Sequence, residues 1–352
     1  MSGFSLPASA IDWLQRADRQ TILAVDSHTG GNPTRIVLSG IDLPAQASTV
    51  DGARRWLREH DDRWRRRLVH EPRGGGLTCA VLPVFTPEDD CDIGAVFLEP
   101  GSYPPMCGHC MIGFASTIVE LNLLPDLWRD DPCRTSFRVR TPAGAIGITA
   151  RREGDRFTTV TLVNVESFVV SQSTCEVDGR GIPVELLYGG DYYISVDARK
   201  IGLALTRDSA TEIVQFARQL RAAYTRNGVR DPLDNATLDV YQVLFYDYDP
   251  AQPLRAKIVV VAPPGVIDRS PCGTGTSALF AKLVTEGHVR PDEVVTTESI
   301  IGSTFTVTAE RLRNSGQRCF ITPALTGRAY INGFLTIAAD SDDELADGFP
   351  PL

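Results

Sequence analysis

Two segments of the chain repeat the same order of residues, and this repetition constrains the fold more than any other feature of the sequence. The first segment runs from Met106 to Asp126 and the second from Pro271 to Asp292. Each reads Cys-Gly, then Phe-Ala, then glutamate and then Pro-Asp, and one residue inserted between Cys and Phe reconciles the spacing. Such self-similarity predicts an internal duplication. We therefore expect two similar halves, each with a cysteine at the start of a buried helix.

A cysteine at the start of a helix can act as an acid or as a base. The first backbone N–H groups of a helix have no partner within it and carry the positive end of its dipole, which stabilises a thiolate. If the two halves face each other, Cys107 and Cys272 lie across a common cleft, where glycines let the backbone approach a small ligand. One thiolate could remove a proton from a carbon while the other thiol protonates the opposite face. This inversion needs no redox or metal cofactor.

Length and charge narrow the class of protein. A chain of 352 residues is long enough for two domains, and its 43% hydrophobic and 22% charged residues are ordinary for a globular protein. The formal net charge of −9 disfavours binding to nucleic acid. The sequence shows neither a membrane-spanning apolar run nor a secretory signal at its N-terminus. We therefore expect a cytoplasmic protein with no membrane partner.

The apolar pattern predicts mixed α/β structure. A hairpin is expected around a turn at Thr29–Pro33, and the basic stretch 54–67 predicts one amphipathic surface helix. A capped helix is expected over 207–228, with Ser209 or Thr211 as its N-cap. Further strands are predicted in LTCAVLPVF, IGAVFLEPG, FRVRTPAGAIGITARREGDRFTTVTLV, ESFVV, YGGDYYISVDA, YQVLFYDYD and RAKIVVVAP.

Other uses of the cysteines stay open. The spacing Cys107-Gly-His-Cys110 matches disulfide oxidoreductases, but the second copy lacks a partner thiol. A disulfide between these two thiols would inactivate an acid–base cysteine. Zinc would need further ligands to complete four, and no second cluster is evident. The remaining cysteines are interpreted as structural: Cys79, Cys91, Cys133, Cys175 and Cys319.

His109 and Asp268 lie close in sequence to the two cysteines. His109 follows Cys107 by two residues, and Asp268 precedes Cys272 by four. If the two loops converge, each side chain could hydrogen-bond a substrate amine or position a thiol. The alternative is a surface histidine and a capping aspartate.

Motifs in order along nearly the whole chain resemble those of the proline racemase family. They are DSHTGGNPTRIV (26–37), EPRG (71–74), MCGH (106–109), TPAG (141–144), GGDYY (189–193), DRSPCGTGT (268–276) and IGSTF (301–305). The family includes proline racemases, hydroxyproline 2-epimerases and trans-3-hydroxyproline dehydratases. The resemblance implies an α/β (α+β) fold of the diaminopimelate-epimerase type, with two pseudo-symmetric domains, each a curved sheet around a central helix, and the site between them. We expect one lobe over 1–185 plus 330–352 and another over 186–329.

The resemblance also implies roles for particular residues. It makes Cys107 and Cys272 the two acid–base thiols, and it implies a small imino-acid substrate and a possible homodimer. The residues that it implies for substrate binding are His109 and Asp268 at the nitrogen, and Gly108, Gly273 and Thr274 at the carboxylate.

The sequence departs from the family pattern near the expected pocket. It reads Gly75 to Cys79 where the family usually has His and then Asp-Met, Cys110 where Gly, Asn or Ala is usual, and Asn32 where Glu is usual. These departures affect the choice of substrate more than the chemistry. We expect a cofactor-independent racemase or 2-epimerase of proline or 4-hydroxyproline.

Three alternatives remain. Dehydratases of the family typically carry Thr at the position of Cys272, so cysteine favours inversion over loss of water. An epimerase of another cyclic imino acid and a catalytically silent imino-acid binding protein are the other two.

Overall fold

The computed structural model describes residues 8–14, 16, 19–85, 91–125, 127–153 and 156–350. The N-terminal segment, for which no secretory signal is predicted, lies partly outside these residues. Asp126, the last landmark of the first repeated segment, lies outside them. The helices are α1 (Ala8–Leu14), α2 (Val50–Glu59), α3 (Arg63–Val69), α4 (Gly108–Leu121), α5 (Ala198–Ile201), α6 (Ala210–Thr225) and α7 (Gly273–Thr285), with a short 3-10 turn at Ala45–Ala47. Among the described residues, no helix has the length and apolar character required to cross a membrane.

The strands are β1 (Arg19–Thr29), β2 (Asn32–Ser39), β3 (Cys79–Val84), β4 (Ile93–Leu98), β5 (Arg134–Thr141), β6 (Gly144–Glu153), β7 (Arg156–Val163), β8 (Phe168–Val177), β9 (Arg180–Tyr188), β10 (Tyr192–Asp197), β11 (Val229–Arg230), β12 (Thr237–Leu238), β13 (Gln242–Tyr248), β14 (Arg255–Ala262), β15 (Val266–Ile267), β16 (Val295–Glu298), β17 (Thr304–Ser315), β18 (Arg318–Gly327) and β19 (Ala329–Asp340). All of them except the β11–β12 pair belong to one hydrogen-bonded network.

The strand pairing repeats along the chain, as the duplicated segments predict. In the first half, β2 pairs parallel with β3, β3 antiparallel with β4, β4 parallel with β5, and β5, β6 and β7 continue antiparallel. In the second half, β10, β13, β14, β16, β17 and β18 follow the same sequence of parallel and antiparallel pairings. Helix α4 follows β4, and α7 follows β14 at the equivalent point.

Each half places its sheet around one central helix. Helix α4 contacts β1, β2, β3, β6, β7 and β19, whereas α7 contacts β8, β9, β14, β17 and β18. Both helices are buried on all sides from their first residue over about three turns, since apolar side chains surround them instead of forming one stripe. Side chains of both helices belong to one continuous apolar cluster. The expected mixed α/β architecture is confirmed.

The predicted division into two lobes stays a prediction. The two halves are joined by the antiparallel pair of β18 with β7. The late strand β19, which begins at residue 329, pairs with β1. The predicted boundary at residue 185 falls within β9.

The basic stretch forms two helices, so the prediction of one helix over 54–67 was wrong. Helix α2 ends at Glu59 and α3 begins at Arg63. Asp61 accepts hydrogen bonds from Arg63, and Asp62 from Arg65, so the carboxylates between the helices pair with the start of α3. In the other predicted helix, Ser209 takes the N-cap position of α6, although its side chain makes no capping hydrogen bond.

The first residues of the two central helices touch each other. A Cβ placed on Gly108 would lie 2.5 Å from the Cα of Gly273, and one placed on Gly273 would lie 2.7 Å from the Cα of Gly108. Real side chains do not tolerate such distances, so glycine is required on both sides of this contact. The contact brings the cysteines that precede these glycines to the same place in the fold.

We predict that Gly108→Ala and Gly273→Ala each lower the free energy of unfolding by about 1–3 kcal/mol through overpacking. At an open helical position the same change would instead stabilise the protein, because alanine favours helix. Thermal and denaturant unfolding would measure the effect. The control is Gly75→Ala, whose Cβ would meet nothing within 4 Å. Unchanged or increased stability of the first two variants would contradict the contact.

Candidate active site

The two central helices begin at one shared cavity. Of the residues predicted for the site, all but Gly273 line this cavity, and Gly273 packs on its wall through Gly108. The predicted residues on the lining are Cys107, Gly108, His109, Asp268, Cys272 and Thr274. The two distant loops therefore converge, as the duplication predicted.

Cys107 is the N-cap residue of α4 and has an extended backbone, with φ −137° and ψ 110°. Its Sγ lies 3.4 Å from Nδ1 of His109. Burial raises the pKa of the Cys107 thiol and the Cys79 thiol adds to the rise, while contacts with Cys110 and His109 offset part of it. The thiol is thus protonated at rest, with a proton donor or acceptor beside it.

Cys272 is the N-cap residue of α7, but its environment differs from that of Cys107. Its φ of 53° lies in the left-handed region, which is strained for a residue with a side chain. Its Sγ accepts a hydrogen bond from the Gly275 N–H at 3.4 Å. Burial raises the pKa of the Cys272 thiol to about 12. The two thiols are equivalent in topology and different in local geometry.

Tyr193 is a site residue to which the sequence analysis gave no role, although it closes the GGDYY motif. Its hydroxyl lies 3.4 Å from the Sγ of Cys272 and 2.6 Å from the Oγ1 of Thr274. The ring is fully buried. Tyr193 therefore holds the side chains of Thr274 and Cys272 together on one wall of the cavity.

His109 and Asp268 face each other across the junction of the two halves. Nδ1 of His109 lies 3.9 Å from Oδ2 of Asp268. His109 is only 5% exposed, so the interpretation as a surface histidine was wrong. Asp268 Oδ1 accepts hydrogen bonds from the N–H and hydroxyl of Ser270, which leaves Oδ2 directed at His109. Burial opposes the charged imidazolium, but the adjacent Cys107 and Cys79 sulfurs favour it and raise the pKa of His109. The part of this rise that comes from charge attraction requires a thiolate, so it is absent while both sulfurs are protonated.

The tip of the β1–β2 hairpin reaches into this junction. Thr29 and Asn32 close the hairpin, as predicted, and the Ser303 hydroxyl donates to the carbonyl of Gly30. Asn32 Nδ2 donates to Nε2 of His109 at 3.0 Å, and its Oδ1 accepts the backbone N–H of Arg269 at 3.1 Å. A residue of the first half thus connects the histidine to the loop that carries Asp268.

Cys79, which the sequence analysis interpreted as structural, is buried and also borders the cavity. It lines the cavity at the start of β3. Its sulfur and one ligand atom each of His109 and Cys110 lie within 4.8 Å of one another, a set of donors that suits a soft metal ion. Nε2 of His109, however, already accepts the Asn32 amide, so this nitrogen has no lone pair left for a metal. These residues do not fit a metal at that nitrogen as they stand.

Two more polar side chains line the cavity. They are Glu99, from the end of β4, and Gln242, from the start of β13. Desolvation raises the pKa of Glu99, and the amide of Gln242 donates to Asp191. No motif marks either residue, because each reaches the cavity only through the pairing of its strand with neighbours distant in sequence.

Comparison with known proteins identifies the family. The sequence profile described as "Proline racemase" matches residues 24–350. The chain belongs to the proline racemase family. It is 32% identical over 333 residues to the proline racemase of Acetoanaerobium sticklandii, covering 93% of this chain and 98% of the relative. It is 33% identical over 330 residues to the 4-hydroxyproline 2-epimerase of Paracoccus denitrificans, covering 92% and 97%. The chain is accordingly an isomerase of this family.

Solved structures of other proteins have the same fold. A hydroxyproline epimerase from Agrobacterium vitis, with bound trans-4-hydroxy-L-proline, superposes with a TM-score of 0.82 at 29% identity, covering 94% of this chain and 95% of the other. Methylitaconate-delta-isomerase superposes with a TM-score of 0.54 at 12% identity, covering 92% and 97%, and shares the fold alone. The predicted fold class is confirmed.

The buried thiols predict how stability depends on pH. The pKa of Cys272 is raised in the fold, so the protonated thiol stabilises the folded chain fully below the unfolded pKa of about 8.5 and progressively less as the pH rises toward about 12. We expect Cys272→Ser to make the alkaline loss of stability less steep than in the wild type. Denaturant unfolding from neutral pH to about pH 11 would measure it. The control is Cys133→Ser, which removes an exposed thiol and should keep the wild-type slope. Equal slopes in all three proteins would contradict the burial of Cys272.

Proposed function

We propose that this chain is a cytoplasmic, cofactor-independent racemase or 2-epimerase that inverts the α-carbon of proline or 4-hydroxyproline by proton transfer between Cys107 and Cys272. The observation that supports this most is that both thiols cap the two central helices and line one cavity. A substrate carbon bound between them would have one sulfur on each face. One thiolate would remove the α-proton, and the opposite thiol would supply a proton to the other face.

The helix starts offer a place for the substrate carboxylate. The first intrahelical hydrogen bond of α4 is donated by the Met111 N–H to Cys107, and that of α7 by Thr276 to Cys272. The N–H groups of the residues between them, Gly108, Gly273 and Thr274 among them, therefore have no intrahelical partner. In our proposal they bind the carboxylate, which also withdraws charge from the α-carbon as the proton leaves.

The substrate nitrogen would lie between His109 and Asp268. Asp268 Oδ2 is directed toward His109 and has no hydrogen bond to Ser270, so it can accept an N–H of the imino acid. With the nitrogen and the carboxylate held at two points, the α-hydrogen would be directed toward one sulfur and the opposite face of the α-carbon toward the other. Burial keeps both thiols protonated at rest, so turnover requires that one of them first loses its proton and becomes a thiolate.

The proposal predicts what a panel of imino acids will do. In D2O, the reduced enzyme should exchange the α-proton of its substrate and form the inverted isomer, followed by proton NMR and chiral chromatography. Cys107→Ala and Cys272→Ala should each lower the rate of inversion by about a thousandfold or more, because each removes one acid–base group. Cys133→Ser, at an exposed position that is not among the residues of the cavity lining, should keep the wild-type rate.

Two outcomes would count against this function. Binding of an imino acid without α-proton exchange would indicate a silent binding protein. A dehydrated product from trans-3-hydroxy-L-proline, formed also by Cys272→Ser, would indicate the dehydratase reaction.

The polar lining also supports a choice of substrate. Glu99 and Gln242 are two potential hydrogen-bond partners for a hydroxyl on the substrate ring. Proline has no such hydroxyl, so it would leave both side chains without this hydrogen bond. We expect kcat/KM for trans-4-hydroxy-L-proline to exceed that for L-proline by about tenfold or more. Glu99→Ala should lower this ratio because it reduces kcat/KM for the hydroxylated substrate. Steady-state kinetics on both substrates would measure it. A higher value for L-proline would assign proline as the substrate while leaving the two-thiol chemistry intact.

A further inference from the structure

We propose that Asn32 is a positioning residue that holds neutral His109 in the tautomer with its proton on Nδ1. The consequence for catalysis rests on the proposed function, whereas the tautomer itself does not. Asn32 lies at the tip of the β1–β2 hairpin, is 3% exposed and contacts Nε2 of His109, whereas the Cys107 sulfur lies nearer to Nδ1, at 3.4 Å, than to Nε2, at 3.9 Å.

The orientation of the Asn32 amide follows from a backbone group. The Arg269 N–H, which can only donate, lies 3.1 Å from Asn32 Oδ1. Rotating the amide by half a turn would place its NH2 group against this N–H and lose the bond. The oxygen of Asn32 therefore faces Arg269, and the NH2 group faces His109.

The amide orientation in turn decides where the imidazole carries its proton. Asn32 Nδ2 has no lone pair, so it donates to His109 Nε2 across 3.0 Å, and Nε2 must be the unprotonated nitrogen. The Cys110 thiol, 3.4 Å from the same nitrogen, can also donate to it. The proton of a neutral His109 is left on Nδ1.

Nδ1 of His109 is directed toward two groups of the proposed site, the Cys107 sulfur and the Asp268 carboxylate. It lies 3.4 Å from Cys107 Sγ and 3.9 Å from Asp268 Oδ2. In this tautomer, His109 donates toward the Cys107 sulfur or Asp268 and cannot accept the thiol proton of Cys107. His109 therefore stabilises the thiolate after it has formed and does not act as its general base. The other groups around the ring are Cys79 and, through space, Glu99.

The isosteric change Asn32→Asp reverses this arrangement. A carboxylate accepts a hydrogen bond from an Nε2–H group where the amide donates one, so neutral His109 should carry its proton on Nε2 and present an unprotonated Nδ1 to Cys107. The histidine could then accept the thiol proton, as in a cysteine–histidine pair. Asn32→Ala removes the bond without supplying an acceptor.

The test is nitrogen NMR of protein labelled with 15N-histidine, recorded without substrate over a series of pH values. The chain has five histidines, and His109→Gln assigns the signal of interest. We expect the neutral His109 of the wild type to be protonated on Nδ1 and that of Asn32→Asp on Nε2. Protonation on Nε2 in the wild type, or an imidazolium at every pH, would overturn the proposal without any variant. An identical pattern in the wild type and Asn32→Asp would overturn it as well.

Kinetics separate this inference from the proposed function. If the enzyme inverts its substrate, the pH at which kcat/KM reaches half its maximum should fall in Asn32→Asp, and kcat of Asn32→Ala should fall about tenfold or more. A loss of folding alone would change neither the pH midpoint nor the tautomer of the folded fraction. The expected tautomer in a protein that exchanges no α-proton would leave the inference standing and contradict the proposed function. Inversion of the substrate by a protein whose neutral His109 carries its proton on Nε2 would support the proposed function and contradict the inference.

Discussion

The contact between Gly108 and Gly273 is the constraint on which the rest of the site depends. Two helices can begin this close to each other only where neither first residue has a side chain, since a Cβ on either would lie within 2.7 Å of the other's Cα. Because each helix is the centre of its own half, the contact connects the two halves at the point where both helix dipoles are positive and both cysteines are placed. The sheets around the helices then close one small cavity over these two helix ends.

The symmetry of the fold does not make the two thiols the same. Cys107 has a relaxed, extended backbone and a histidine beside its sulfur, whereas Cys272 has a left-handed backbone and receives a backbone N–H and the neighbouring tyrosine hydroxyl. In the proposed reaction, which runs in both directions, each thiol would serve as acid and as base. The structure provides each sulfur with its own donors, and burial keeps both sulfurs protonated until a proton is removed from one of them.

The features that the sequence predicted well were those encoded locally or by repetition. The duplicated landmarks predicted the two buried helices, and their spacing placed Cys107 and Cys272 at equivalent positions. The break between α2 and α3 was missed, because apolar spacing continues across the acidic residues that end the first helix. The position of Cys79 on the cavity lining was not predicted, because its strand reaches the cavity only by packing beside α4. The contact of Asn32 with Arg269 joins residues 237 positions apart. Such contacts follow from the closed sheet and leave no mark on the local sequence.

The most direct measurement of the two-thiol account is the distribution of solvent deuterium during the first few per cent of conversion, starting in separate reactions from each isomer of the substrate in D2O. With one thiol on each face, the product should carry deuterium at the α-carbon while the remaining substrate still carries protium, and the result should hold in both directions. Deuterium appearing in substrate and product at equal rates from the start would mean that a single base serves both faces, and it would contradict the central claim.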